Sequence, residues 1–148
     1  MRNIRVTPTI TAGAYDAGDV IGGKLLLAGA VSIAGRETTL RNLTVIDKAA
    51  QKKVLNFTFF DADPAAATLA NNGAPSLSTD VAHVIGTFQL GPSDYNMTLG
   101  GVAMGTIPGI NLILKSASSV NLWCVVTTPD TPTYTSVSDL TFIFGFAD

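Results

Sequence analysis

The chain has 148 residues, nine Lys/Arg against eleven Asp/Glu, and a formal net charge of −2; that length suits one domain, which buries about 68–70% of its unfolded surface without a metal or disulfide. Charged residues make up only 14% and hydrophobic residues 47%, where a typical soluble domain carries about 25% charge. The near-neutral balance excludes an electrostatic grip on nucleic acid or an anionic membrane, and a single cysteine, Cys124, excludes an internal disulfide.

In chain order, Ile4 to Ile10 is extended and alternating. Pro8 marks it as an edge strand or, over residues 1–11, an extended N-terminal arm. Ala12 to Gly23 is glycine-rich and reads as a turn region around Asp16 and Asp19. Lys24 to Ile33 reads as a buried strand. Leu25 to Ala34 is apolar like a signal sequence, but it starts far from Met1 and has Asp16, Asp19 and Lys24 on its leading flank; the expectation is therefore synthesis and assembly in the cytoplasm. Thr38 to Ile46 and Val54 to Phe60 flank the polar Asp47–Lys52 and read as a strand pair. Leu55, Phe57 and Phe59 share one face of the second run, because successive strand side chains point to opposite sides.

Pro64 to Asn71 carries the signals of one short helix: Asp63 to cap it, Pro64 at the first position and Asn72-Gly73 to end it. The remaining runs read as strands: Ala82–Leu90, Tyr95–Leu99, Ile110–Lys115, Val120–Thr128 and Leu140–Phe146. In the last, Leu140, Phe142, Phe144 and Phe146 fall on one side. Without βα alternation a parallel α/β sheet is excluded. The expectation is one all-β domain over residues 1–148, an antiparallel two-sheet sandwich with one short helix. Its predicted core is Leu55, Phe57, Phe59, Leu122, Cys124, Val126, Leu140, Phe142 and Phe144.

No constellation for chemistry emerges. His83 is the single histidine and no Gly-x-Ser-x-Gly turn accompanies it, so a Ser-His-Asp triad lacks its parts. Cys124 shares a face with Val120, Leu122 and Val126 and reads as an inert core thiol. Asp61 and Asp63 are too few for a calcium loop, and zinc fails on ligand count. Gly18, Gly22, Gly23, Gly100, Gly101 and Gly105 match no phosphate-cradling motif and read as turn residues. Trp123, Tyr15, Tyr95 and Tyr134 are the candidates for a sugar platform, although a mid-strand Trp123 reads more simply as a core or interface residue. The expectation is no catalytic residue, no cofactor and no metal.

Four stretches carry a resemblance: Tyr15-Asp16-Ala17-Gly18-Asp19-Val20-Ile21-Gly22-Gly23; Leu43-Thr44-Val45-Ile46-Asp47-Lys48; the strand ending Phe59-Phe60-Asp61; and Tyr134-Thr135-Ser136-Val137-Ser138-Asp139-Leu140. In their order along nearly the whole chain, the sequence resembles the capsid decoration (cement) proteins of tailed bacteriophages and related small virion proteins. The resemblance implies a non-enzymatic jelly-roll sandwich that forms a homotrimer and binds the major capsid protein on the outside of a phage shell, stabilising it by bridging subunits. It places the protein on the virion surface, with neither nucleic acid nor membrane as a partner. The low charge agrees, since a charge-poor surface is better explained when other subunits cover it. Arg2, Ile4, Arg5 and Val6 of the opening segment are the candidate interface. The alternative is a phage fibre or tail component whose jelly-roll module binds carbohydrate or a receptor.

Overall fold

The computed structural model describes residues 1–148. It contains ten strands: β1 (Arg2–Val6), β2 (Val20–Leu27), β3 (Glu37–Asp47), β4 (Leu55–Phe60), β5 (Val84–Leu90), β6 (Met97–Leu99), β7 (Val102–Ile107), β8 (Leu112–Lys115), β9 (Leu122–Thr127) and β10 (Leu140–Ala147). One sheet runs β1-β10-β3-β7-β6, with β8 also on β3; the other runs β2-β9-β4-β5. All pairs are antiparallel. β7 and β8 share one long neighbour, pairing with the Leu43–Asp47 and Glu37–Leu40 halves of β3. Counted as one strand, they leave a five-strand and a four-strand layer, with each of β1, β3 and β9 followed in sequence by a strand of the opposite sheet. That order is the jelly roll.

The layers meet on phenylalanines. Leu55, Phe57 and Phe59 of β4 and Leu140, Phe142, Phe144 and Phe146 of β10 are all fully buried, as are Leu122, Cys124 and Val126 of β9. Phe57 lies edge-on to Phe142, with ring centroids 5.1 Å apart, and to Phe144 at 6.1 Å. The period-2 pattern in the sequence thus translates directly into a core.

Four expectations change. The runs around Asp47–Lys52 do not pair with each other: β3 and β4 lie in opposite sheets. The Asp47 carboxylate accepts from the Ala49 and Lys52 N–H groups (both 3.0 Å), and Ala50 and Lys52 take positive φ, so the connection crosses over instead of folding back. The irregular alternation of β3 is a bulge. Gly145 faces Asn42 while Phe146 faces Leu40, so Arg41 is extra and the inward set shifts from Thr38 and Leu40 to Leu43, Val45 and Asp47. β2 begins four residues before the expected Lys24 and ends at Leu27; Gly22 and Gly23, at φ 85° and 71°, form a bulge inside it. Gly105, read as a turn residue, lies inside β7, where a Cβ would run into the Asp94 carbonyl.

The helix over Pro64–Asn71 does not form. Asp63, its expected cap, holds Lys24 Nζ at 2.7 Å, and the Ala67 N–H donates to Asp80 instead (2.7 Å). Thr68 and Ser76 exchange two backbone hydrogen bonds, which turns Leu69 onto Val20, Phe60 and Val125. An eight-residue helix has little stability of its own, and burying Leu69 on the outer face of the second sheet wins. The helical turns present are 3₁₀, at Ser78–His83 and Pro92–Asp94. Of the two readings of the N-terminal segment, the structure shows the edge strand: β1 pairs along β10, from Arg2 opposite Phe146 to Val6 opposite Phe142.

Because Phe142 meets Phe57 across the core and Phe144 beside it on β10, Phe142→Ala should cost about 3–5 kcal/mol of stability in chemical denaturation. A loss under about 1 kcal/mol would mean that the core closes over the gap.

Candidate interaction surface

The residues singled out for chemistry do not converge. His83 Nδ1 lies 2.7 Å from Asp61 Oδ1, tying together the two ends of the segment between β4 and β5. Cys124 faces the core, and burial pushes its thiol well above the ordinary range. Asp61 and Asp63 part company, the first to His83 and the second to Lys24. Tyr15, Tyr95 and Tyr134 are buried. Tyr15 and Tyr134 meet edge to face at 5.9 Å, and the Tyr95 hydroxyl donates to the Lys53 carbonyl (2.9 Å). Trp123 is half-buried on the outer face of the second sheet, packed against the cluster of Val20, Phe60, Leu69 and Val125.

The carboxylates that are buried hold loops. Asp47 caps the β3–β4 crossing, Asp139 accepts from the Thr135 and Ser136 N–H groups (2.8 and 2.9 Å), and Asp80 holds Ala67. Burial, the main cause, raises the Asp47 pKa, with neighbouring Asp139 adding to it and the backbone donors opposing. Asn71, which no sequence motif marks, ties three segments together: its Oδ1 accepts from the Tyr15 hydroxyl (2.6 Å) and the Gly22 N–H (2.8 Å), while its Nδ2 donates to Thr11 Oγ1 (3.0 Å).

The interface candidates divide. Arg2 turns inward. Its guanidinium grips both Asp148 carboxylate oxygens (2.7 and 2.8 Å), the Ala30 carbonyl (2.8 Å) and Thr38 Oγ1 (3.2 Å). Ile4 and Val6 pack on the core. Arg5 points the other way, exposed on the outer face of the six-stranded sheet beside Ile143.

That outer face is the notable surface. The segment between β4 and β5 covers part of the second sheet's outer side, whereas the first is touched at its margin by the opening residues, Met1 on Asn42 and Thr7 on Thr141. Its cross-strand rows run Arg5–Ile143–Thr44–Thr106 and Thr141–Ile46–Met104–Met97, with Arg5 the single charge in them. The hairpin β6–β7 closes the far edge through Gly100-Gly101, both at positive φ, the geometry of a two-residue hairpin turn. Met97 and Leu99 are 59% and 69% exposed. Beside them a groove of about 240 Å³ is lined by Thr44, Asn96, Met97, Met104, Gly105 and Thr106. The available sequence signals were Gly-Gly between two short apolar runs and the absence of any charged residue from Tyr95 to Leu114.

No family model and no curated protein matches the sequence. Among solved structures, the chain is similar to one of tomato aspermy virus, at 10% identity and a TM-score of 0.45 over 98% of this chain and 74% of that one. It is also similar to a carbohydrate-binding module specific for non-crystalline cellulose, CBM28 (10% identity, TM-score 0.39, 84% of this chain and 65% of that one). A third is the infectious bursal disease virus VP2 subviral particle (13% identity, TM-score 0.38, 98% of this chain and 31% of that one). The strand order, not these likenesses, carries the fold assignment.

Two outcomes follow from the buried polar groups. The Tyr134 hydroxyl is buried with no hydrogen-bond partner, a situation that costs about 1–3 kcal/mol. Tyr134→Phe should therefore leave stability unchanged or raise it; a loss above about 1 kcal/mol would show that the hydroxyl is satisfied. For Asp47, a raised pKa means that the folded state holds the proton more tightly than the unfolded one. Its ionisation opposes folding at neutral pH, and the opposition fades as pH falls toward the ordinary aspartate value of about 3.9. Wild type should gain stability relative to Asp47→Asn as pH drops from 7 toward 4, and a pH-independent difference would contradict the shift.

Proposed function

We propose that the protein is a non-enzymatic structural component of a virion, a decoration protein that docks on the major capsid protein of a phage shell and bridges its subunits. One observation carries the reading: toward β6 the outer face of the six-stranded sheet is built of Thr, Ile and Met, with Arg5 the one charge in its two central rows and the exposed charges Glu37, Arg41 and Lys115 at the β8 end. A bare, nearly uncharged face suits burial against another protein. Standard interfaces bury about 1,600 Å² in total, and repetition around a shell turns modest contacts into firm attachment. The protein acts as a homotrimer in this reading, since closed cyclic symmetry limits assembly where head-to-tail contact would propagate. The Arg5 side chain faces the neighbouring copy through side-chain contact rather than strand pairing, while Arg2, Ile4 and Val6 keep β1 in place.

The competing role, a fibre or tail module that binds carbohydrate, would use aromatic platforms. Burial of Tyr15, Tyr95 and Tyr134 leaves only half-buried Trp123 for that purpose. Binding on a glycan array that is lost in Trp123→Ala would favour it over decoration.

Light scattering should give about 46 kDa, three times the 15.3 kDa chain; a monomer at micromolar concentration would remove the trimer. In co-sedimentation with empty phage shells, the wild-type protein should bind. Ile46→Lys, which puts a charge at the centre of the bare face, should bind at least tenfold more weakly with its melting temperature unchanged. Equal binding would move the contact to another surface.

A further inference from the structure

Five strands lie at a sheet edge, and four of them are protected against pairing with another chain. β1 carries Arg2 and Arg5 and is soon followed by Pro8. β2 is bulged at Gly22-Gly23 and carries Lys24. β5 is bulged against β4 between Gly86 and Val84, and β8, which pairs with β3 alone, ends on Lys115. Charges, proline, bulges and cover are the devices by which sheets avoid edge-to-edge contact. β6 has none of them. Met97, Thr98 and Leu99 are all exposed, and no charged residue lies between Tyr95 and Leu114.

The hairpin geometry decides which backbone groups are free. Leu99 and Val102 flank the two-residue turn and Met97 faces Met104, so both pairs exchange their hydrogen bonds within the hairpin. Thr98, opposite Ala103, is the intervening non-bonded pair, and its N–H and C=O point away from β7. We propose that this edge binds a second copy of the chain, β6 against β6, antiparallel across a two-fold axis at Thr98.

The strand is self-complementary in that register. Thr98 faces Thr98 of the second copy and exchanges two hydrogen bonds with it, and Met97 faces Leu99 in both directions. An isologous contact sets each patch against itself, so any charge would meet its like; a neutral edge has no such repulsion. The pairing would extend the apolar row Ile46–Met104–Met97 into the next molecule. Within the decoration reading, it links one trimer to the next across the shell. The contact itself does not depend on that reading.

Thr98→Cys tests it without shells. Directly opposed residues of a bonded antiparallel pair have Cα atoms about 5.5 Å apart, inside the span of a disulfide. Cys124, the one native thiol, is buried and does not compete. With mild oxidant, Thr98→Cys should give a dimer of about 31 kDa, two 15.3 kDa chains, at least tenfold faster than Val137→Cys, whose site is 52% exposed on a loop. Equal or slower cross-linking would overturn the proposal. Thr98→Pro removes the one outward N–H of the strand while leaving the hairpin's own bonds intact. In sedimentation equilibrium it should weaken association beyond the trimer at least tenfold, and unchanged association would also overturn the proposal. Absence of shell binding by the wild-type protein alongside rapid Thr98→Cys cross-linking would sink the decoration reading alone. The reverse pair of results would sink the edge contact alone.

Discussion

The packing of β4 phenylalanines against those of β10 is the contact on which the molecule depends. Phe57 and Phe59 hang from one sheet and Phe142 and Phe144 from the other, and their rings meet edge-on with centroids 5.1 to 6.2 Å apart, the arrangement favoured by aromatic quadrupoles. Each layer has its apolar side only because it has the other to face. The strands outside this pair attach as neighbours of β4 or β10, directly or through β9 and β3. The connections are free to vary in shape because they do not carry the core. They are fastened locally by carboxylates and amides: Asp47 and Asp139 at one end of the sandwich, Asp80 and Asn71 beneath the long segment between β4 and β5.

The two outer faces differ as a consequence. That long segment folds back over the second sheet, where Leu69 and Phe60 form a small satellite core with Val20 and Val125. Trp123 packs against it with part of its ring, which leaves only the remainder of the indole to solvent. The first sheet has no such cover, and its rows of Thr, Ile and Met lead to an edge without a protecting charge. A face of this kind is a liability in a free monomer and an asset in an assembly. The low charge of the chain and the bareness of this sheet are one property seen at two scales.

The sequence was most legible where one period ruled. Leu55-Phe57-Phe59 and Leu140-Phe142-Phe144-Phe146 alternate cleanly, and every one of them is buried. It was least legible where glycine and tertiary contacts intervened. Gly105 disguised β7 as a loop, and Gly22-Gly23 hid the start of β2. The bulge at Arg41 blurred β3, whose crossing to the other sheet was mistaken for a hairpin. The signals for a helix at Pro64–Asn71 were sound in isolation, but Lys24 claimed Asp63 and the satellite core claimed Leu69. Of the surface, the neutral stretch from Tyr95 to Leu114 was visible in the sequence. Its exposure was not, because burial depends on which sheet a strand joins. For the same reason Arg2, Ile4, Arg5 and Val6 read as one group, although only Arg5 turns outward.

Backbone amide exchange measured on the protein free and bound to empty shells would test the central claim, that the bare face of the six-stranded sheet is the working surface. Slowed exchange on binding is predicted in β6, β7 and the outward-facing part of β3, with little change from Asp61 to His83. Protection confined to that segment and the neighbourhood of Trp123, with β6 and β7 unaffected, would contradict the account.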